Sequence, residues 1–452
     1  MKLNKLIGLL AVAGLVAPGV ASATNGYFSH GYGMKAKGMA GAATAMTGDT
    51  FGGANNPATM VWAGDRLDVG VDWFSPIRSS NRTGGSSAVN MVPPAFQPFF
   101  VGSNLDGSSD SSSNSFFVPE FGYNKMLNND MSLGITVYGN GGMNTDYQNA
   151  PIAAGNCPTP TGPSPVANNL LCGQGKLGVN LEQLIIAPTF AYKLNQNHSI
   201  GISPLFGYQR FAADGLQAFG QISTDPNNLT NRGHDSASGW GVRVGWLGKI
   251  TNSVSVGAAY SSKINMSKFD RYKGLFAEQG DFDIPENYNI GVAVKATPTV
   301  TVALDYQRIN YGGVKAIANS SVDPLCYTNP SGCLGGSNGI GFGWKDVDVW
   351  KLGVEWQYSS ALTLRAGYNH GDNPIKSQDA TFNILAPGVV QDHLTLGGTY
   401  ALSGNSELTV AYMHAFEKSI SGTTNPAYFP AGGTDQIKMY QDSLGVAYGV
   451  KF

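Results

Sequence analysis

Trp350-Lys351-Leu352-Gly353-Val354-Glu355-Trp356-Gln357-Tyr358-Ser359-Ser360-Ala361-Leu362-Thr363-Leu364-Arg365-Ala366-Gly367-Tyr368 is the stretch whose reading decides the fold. Large apolar side chains take every second position in each half: Trp350, Leu352, Val354 and Trp356, then Leu362, Leu364, Ala366 and Tyr368. Successive side chains of a strand point to opposite faces, so this alternation marks two strands, each with one apolar face. Ser359-Ser360 between them reads as a tight hairpin turn. The other face carries Lys351, Gly353, Glu355, Arg365 and Gly367, small or charged, as the inner wall of a membrane barrel does.

The same alternation recurs from residue 65 to the end. It runs over Leu67 to Trp73, Met131 to Val137, Trp240 to Trp246, Val254 to Tyr260, Tyr288 to Val294, Val300 to Tyr306, Leu394 to Tyr400, Leu408 to Tyr412 and Leu444 to Phe452. Less regular segments at 115–126, 181–194 and 198–210 bring the count to fourteen. Six connections are short: Asn128 to Asp130, Asn195 to Asn197, Thr251-Asn252, Thr297-Pro298, Ser359-Ser360 and Gly404-Asn405. Seven are long, at about 76–114, 141–180, 211–237, 263–286, 311–345, 371–390 and 416–438. A sandwich has no reason to alternate loop lengths this way, whereas an outer-membrane barrel has an even strand number, short periplasmic turns and long external loops. The expected fold is therefore all-β, a 14-stranded antiparallel transmembrane barrel. Its backbone groups would all pair within the closed sheet, as lipid requires. Trp240 with Trp246 and Trp350 with Trp356 sit six residues apart, suited to the two interfacial girdles. The terminal Phe452, with apolar residues alternating before it, looks like a signal for the barrel-assembly machinery.

Lys2, Lys5, the apolar run Leu6 to Val20 and Ala21-Ser22-Ala23 form a signal peptide pattern over 1–23, with Thr24 as the expected mature start. Charged residues make up only 13%, against about 25% in soluble proteins. A net charge of −2 gives no electrostatic case for nucleic acid. Cys157 with Cys172 and Cys326 with Cys333 lie close in sequence, in loops of an exported chain, and read as two disulfides. A metal site is the weaker reading, since Cys-x-x-Cys spacing and nearby histidines are missing.

Inward positions are mostly small, including Gly241, Gly245, Gly257, Gly291, Gly445 and Gly449, which would leave the lumen open. Side chains can fill a barrel of about eight strands but not a wider one, so a plug is needed. Residues 24–64 supply it: Lys35 to Met46 is helix-compatible and rich in small residues, and Asn55-Asn56-Pro57-Ala58 is a turn. The domains are thus 1–23 signal peptide, 24–64 hatch and 65–452 barrel. Gly31-Tyr32-Gly33 imitates a dinucleotide fingerprint, but it has no preceding strand or βαβ unit, and no cofactor is expected.

Asn25-Gly26-Tyr27, Gly31-Tyr32-Gly33, Lys35-Ala36-Lys37-Gly38-Met39-Ala40-Gly41-Ala42 and Asn56-Pro57-Ala58 resemble the hatch of the FadL/TodX/XylN family of outer-membrane hydrophobic-compound transporters. The likeness extends to Pro285-Glu286 and Leu364 to Tyr368. It implies a monomeric barrel in outer-membrane lipid and lipopolysaccharide. A hydrophobic ligand would be captured by external loops, held near the hatch and released sideways where the third strand kinks inward. Gating would fall to Thr24, Asn25, Gly26, Tyr27 and Phe28 with Asn56, Pro57 and Ala58.

The third strand runs from Met131 into Gly139-Asn140-Gly141-Gly142. Gly139, Gly141 and Gly142 either bend it, as strand glycines do, or begin the next loop. Arg243 is the isolated cation suited to a ligand head group, while Lys351, Glu355 and Arg365 either meet a carboxylate or, as the stronger reading, pair with one another. Phe96, Phe99 and Phe100, and Leu275-Phe276, are apolar enough for an external groove or for loop self-packing. The expected function is passive uptake of long-chain fatty acids or related compounds, with aromatic-hydrocarbon uptake as the alternative. A barrel lipid hydrolase is disfavoured because none of the six histidines lies in a nucleophile motif and Gly-x-Ser-x-Gly is absent. General porins use about 16 or more strands and keep an aqueous channel.

Overall fold

The computed structural model describes residues 24–85, 104–159, 162–322, 326, 328–402, 404–425 and 432–452. The expected signal peptide lies outside these residues. Fourteen long strands make one closed antiparallel sheet: β1 Arg66–Thr83, β2 Phe116–Met126, β3 Met131–Asn144, β4 Gly178–Lys193, β5 His198–Asp214, β6 Asp235–Lys249 and β7 Val254–Ser261, then β8 Asn287–Lys295, β9 Val300–Ile309, β10 Val347–Gln357, β11 Leu362–Gly371, β12 Asp392–Ala401, β13 Ser406–Thr423 and β14 Thr434–Lys451. Each pairs with its neighbour in sequence, and β14 closes on β1 from Arg66↔Lys451 to Thr83↔Thr434. In the β10–β11 hairpin, Val354 faces Ala366 and Trp356 faces Leu364. Trp350 and Trp356 project outward, 52% and 43% exposed, while Lys351 and Arg365 are buried in the lumen. Trp240 packs on Phe206, and Trp246 stacks over His198 beside a short turn.

Several strands outrun the alternation that announced them. β1, β13 and β14 have 18 residues each, so the connections expected to begin at 76 and 416 are partly ladder. Outward positions there are polar, for example Ser79, Asn81, Gln436 and Lys438. Apolar alternation reports only the lipid-facing part of a strand; above the lipid the hydrogen bonds continue without it. The loops beyond form an apolar cap with Ile152, Leu171, Phe219, Ile317, Leu334 and Phe382 buried. Cys157–Cys172 and Cys326–Cys333 are both bonded, in the β3–β4 and β9–β10 loops. Arg82 and Asp435 pair at 2.7 Å with no exposure, and Arg82 also donates to the Leu170 carbonyl at 2.9 Å.

Residues 24–64 lie inside the barrel, but they are less helical than expected. Only α1 (Met34–Lys37) and α2 (Met60–Ala63) form, with 3-10 turns between. The helix predicted over Lys35 to Met46 stops after one turn. Gly38 packs against Gly397, and the next turn requires left-handed backbone at Ala40 (φ 57°) and Gly41 (φ 85°). The small inward residues do not leave the lumen open either. They are seats for the hatch: a Cβ on Gly353 would lie 2.8 Å from Met39 Cβ, and one on Gly445 2.6 Å from Met34 Cε.

Candidate functional site at the hatch, the third strand and the lumen wall

Polar contacts to the inner wall fix the hatch in place. Asn56 caps the turn Pro57–Thr59 by accepting from the Ala58 N–H. Its amide also donates to the carbonyls of Thr44 (2.8 Å) and Trp246 (3.0 Å), joining two hatch segments to β6. Ser199 Oγ donates to the Ala58 carbonyl at 2.8 Å. Pro57 lies directly against Gly201 of β5 and Gly245 of β6, where side chains would overlap it. Opposite, Lys37 pairs with Asp72 at 2.6 Å and Lys35 with Glu407 at 2.6 Å. Asp305 accepts from the N–H groups of Ala43 (2.9 Å) and Thr44 (2.8 Å). Buried ion pairs add little net stability but are costly to break singly, so they set where the hatch sits.

The third strand is irregular where its glycines lie. The β3–β4 register shifts between Gly139 and Gly141, and the β2–β3 ladder ends at Phe121↔Val137. The glycines are therefore within the strand, which continues to Asn144, and they do not begin the loop. From Tyr138 to Asn144 every residue of β3 is buried. Hatch residues occupy its free side: Phe28 bridges Gly141, Ser29 N–H donates to the Asn140 carbonyl (3.1 Å), and Gly142 N–H donates to the Tyr27 carbonyl (3.1 Å). Residues 116–120 of β2 are left without a β3 partner. Pro119 is among them and has no N–H to leave unpaired. A discontinuity in the wall thus lies against the segment Thr24 to Phe28, two predicted sites that the fold brings together.

Beside this junction lies a packed aromatic cluster that periodicity did not announce. Tyr27 packs on Tyr311 (centroids 5.2 Å apart), Trp344 (6.0 Å) and Phe282 (6.2 Å), and Phe28 meets Tyr311 edge-on. Tyr311 donates to the Asn25 carbonyl at 2.6 Å and accepts from the Tyr27 N–H. Tyr311, Trp344 and Phe282 come from long loops, where the one available signal was aromatic residues in Gly- and Asp-rich chain. Leu275 and Phe276, expected in an external groove or self-packed, are buried; Phe276 packs on Phe211 and Phe282. Phe96, Phe99 and Phe100 lie outside the described residues.

Arg243 faces inward on β6 and is buried. One long contact, 3.5 Å to Asn287 Oδ1, engages its Nη2, and its Nη1 has no partner among the described residues. It lies within electrostatic reach of Tyr32 and Tyr138, whose rings are 4.6 Å apart beside the β3 irregularity. Glu355 and Arg365 pair at 2.7 Å as expected. Lys351 does not join them: it stands between Asp305 and Asn369 in the ladder register and forms no ion pair within 4.0 Å among the described residues. A cavity of about 490 Å³ opens beneath the hatch, lined by Met39, Met46, Lys249, Asn252 and Lys295. It lies toward the short turns, away from the aromatic cluster.

Comparison with known proteins then places the fold. A family model described as outer membrane protein transport protein (OMPP1/FadL/TodX) matches residues 166–450. The crystal structure of the Pseudomonas putida toluene transporter TodX is similar at TM-score 0.65 and 18% identity, covering 94% of this chain and 99% of that one. A Pseudomonas aeruginosa FadL homologue is similar at TM-score 0.67 and 15% identity, over 94% and 100%. The Ralstonia pickettii toluene transporter TbuX is similar at 0.60 and 16%, over 94% and 99%. No curated protein matches the chain by sequence.

Proposed function

The chain belongs to the outer membrane protein transport family (OMPP1/FadL/TodX), and on that premise we propose that it is a passive channel for long-chain fatty acids or related hydrophobic compounds. External loops collect the ligand, the hatch gates it, and the β2–β3 discontinuity releases it sideways into lipid. The observation that carries this reading is the hydrogen bonding of Tyr27 to Ser29 to β3 at Asn140 to Gly142. A ligand that shifts the first hatch residues would alter the wall at the same point. Each CH₂ taken from water into an apolar site contributes about 0.8 kcal/mol, so capture needs no coupled energy source.

Arg243 supplies a buried cation for a carboxylate, which favours fatty acids. The aromatic cluster of Tyr27, Phe28, Phe282, Tyr311 and Trp344 favours the second reading, an aromatic hydrocarbon, which would have to displace these packed rings. The family description is one of transport, and a lipid hydrolase is set aside on the same ground. The deciding experiment identifies by mass spectrometry the molecule that co-purifies with the barrel, then displaces it with a fatty acid or with toluene. Displacement by the fatty acid, with affinity lowered about tenfold or more in Arg243→Met, is the expected result. Displacement by toluene alone would establish the aromatic reading, and displacement by neither would remove the channel proposal.

Replacing Gly139, Gly141 and Gly142 by valine should straighten β3 and restore pairing with β2. Uptake should then fall sharply in whole cells while ligand binding to the purified protein persists. If binding disappears with uptake, the glycines shape the ligand site and not an exit.

A further inference from the structure

The cavity beneath the hatch, about 490 Å³ in volume, has the size of a small-molecule pocket, and the channel reading does not use it. Hatch residues Met39, Ala42 and Met46 give it an apolar wall, and the ends of β6 and β8 add Lys249 and Lys295. In the ladders Lys249 faces Ser255 and Lys295 faces Thr301, and both of these partners also line the cavity. The two lysines therefore belong to the short-turn mouth of the lumen and not to the lipid-facing surface. Neither forms an ion pair among the described residues. The carboxylates of the lining are engaged elsewhere: Glu355 pairs with Arg365 at 2.7 Å, and Asp49 accepts from the Phe51 N–H at 3.0 Å beside Lys35. What Lys249 has is a ring, its Nζ lying 3.4 Å from the centroid of Trp62. Lys193 Nζ stands 4.6 Å from the same centroid and donates to the Asn129 carbonyl at 2.9 Å. Lys193 and Lys295 are both within electrostatic reach of Lys249.

Three like charges gathered at one mouth repel one another, and an anion placed among them relieves that repulsion. A ring face is a weaker partner for an ammonium group than an anion that accepts charge-assisted hydrogen bonds, so an anion entering the mouth would draw Lys249 off Trp62. The ring itself stays in place, because its Nε1 donates to Ser199 Oγ at 2.8 Å, and Ser199 in turn holds the hatch at the Ala58 carbonyl. The hatch wall decides the rest of the ligand. Met39, Ala42 and Met46 offer no hydrogen-bond donor but reward burial of CH₂ groups, and methionine side chains adapt to an unbranched chain. We propose that this cavity binds a small aliphatic anion, with its acyl chain on Met39 and Met46 and its charged head between Lys249 and Lys295. This is a second site, six residues along β6 from Arg243 toward the short turns, and it does not depend on what the channel carries.

The test reads Trp62 directly, by fluorine NMR of the full-length protein in nonionic detergent with fluorotryptophan at its seven tryptophan positions. The resonance missing from Trp62→Phe is the reporter. Octanoate should shift it saturably in the parent, whereas octanol and inorganic phosphate, each offering half of the ligand, should act about tenfold or more weakly. Lys249→Met combined with Lys295→Met should abolish the octanoate shift, and Lys249→Arg combined with Lys295→Arg should keep it. The comparison of probes on the parent stands even if a variant fails to fold. Octanol as effective as octanoate would overturn the anion site, and inorganic phosphate as effective would overturn its aliphatic part. No shift at all, or a shift that survives the methionine pair, would overturn the proposal. A shift lost in Arg243→Met would overturn the separation of the two sites. None of these outcomes bears on uptake, by which the channel reading is judged.

Discussion

Deleting Lys35 to Ala58 is expected to leave a folded barrel that conducts ions many-fold better than the parent in a planar bilayer. The fourteen strands close through their own ladders, β14 on β1, and the hatch contributes none of them. What it contributes is volume, since Gly38, Met39 and Ala40 fill the space above Gly353, Gly367 and Gly397. Without it those positions line an open lumen. Asp72, Asp305 and Glu407 would lose their hatch partners, but in a flooded lumen water solvates them, so the burial cost of an unpaired charge does not arise. Unchanged conductance would show that the external cap alone seals the barrel and that residues 24–64 are not its plug.

Gly201→Val combined with Gly245→Val should approach the same conductance with no residue removed. Both glycines face inward on β5 and β6, and a Cβ on Gly245 would come within 2.9 Å of Pro57 Cδ and overlap the Asn56 side chain. Valine suits a strand, so the wall should hold and the Asn56-Pro57-Ala58 turn should be expelled. The Thr44 and Trp246 carbonyls would lose the Asn56 amide. Asn56→Ala alone should be milder, at about 1–3 kcal/mol for groups left unsatisfied. Heat-modifiable migration on gels checks the barrel, and protease susceptibility of the hatch checks its release. A double variant that conducts like the parent would mean the hatch is not held through this contact.

Much of this arrangement is legible in the sequence. The β10–β11 hairpin was read from Trp350 to Tyr368 because lipid imposes one apolar face on every spanning strand, and that constraint prints itself at every second residue. Asn55-Asn56-Pro57-Ala58 reads as a turn because Asn before Pro is local turn chemistry that involves only neighbours in sequence. The Glu355–Arg365 pair was readable for a related reason: the two residues lie on one hairpin, and the turn length sets which positions face each other.

Where the reading erred, the deciding partner was distant in the chain. The helix over Lys35 to Met46 was cut short by a wall glycine, Gly397, and by the turn toward His30. The inward glycines looked like empty space, because a sequence shows a missing side chain but not the backbone that moves in to use its place. Lys351, which hairpin spacing pairs with Glu355 and Arg365, stands between Asp305 and Asn369.

The sequence by itself determined the strand count, the closed sheet and the two faces of each strand. All of these follow from local periodicity and from lipid acting as a uniform solvent along the chain. Only the tertiary structure decided that Tyr27 to Ser29 hydrogen-bonds to the irregular third strand, that Tyr311 and Trp344 pack on Tyr27, and that His30 meets His393. Those contacts join residues far apart in the chain, and their geometry is set by how the barrel's circumference folds back on a segment that no local pattern could orient.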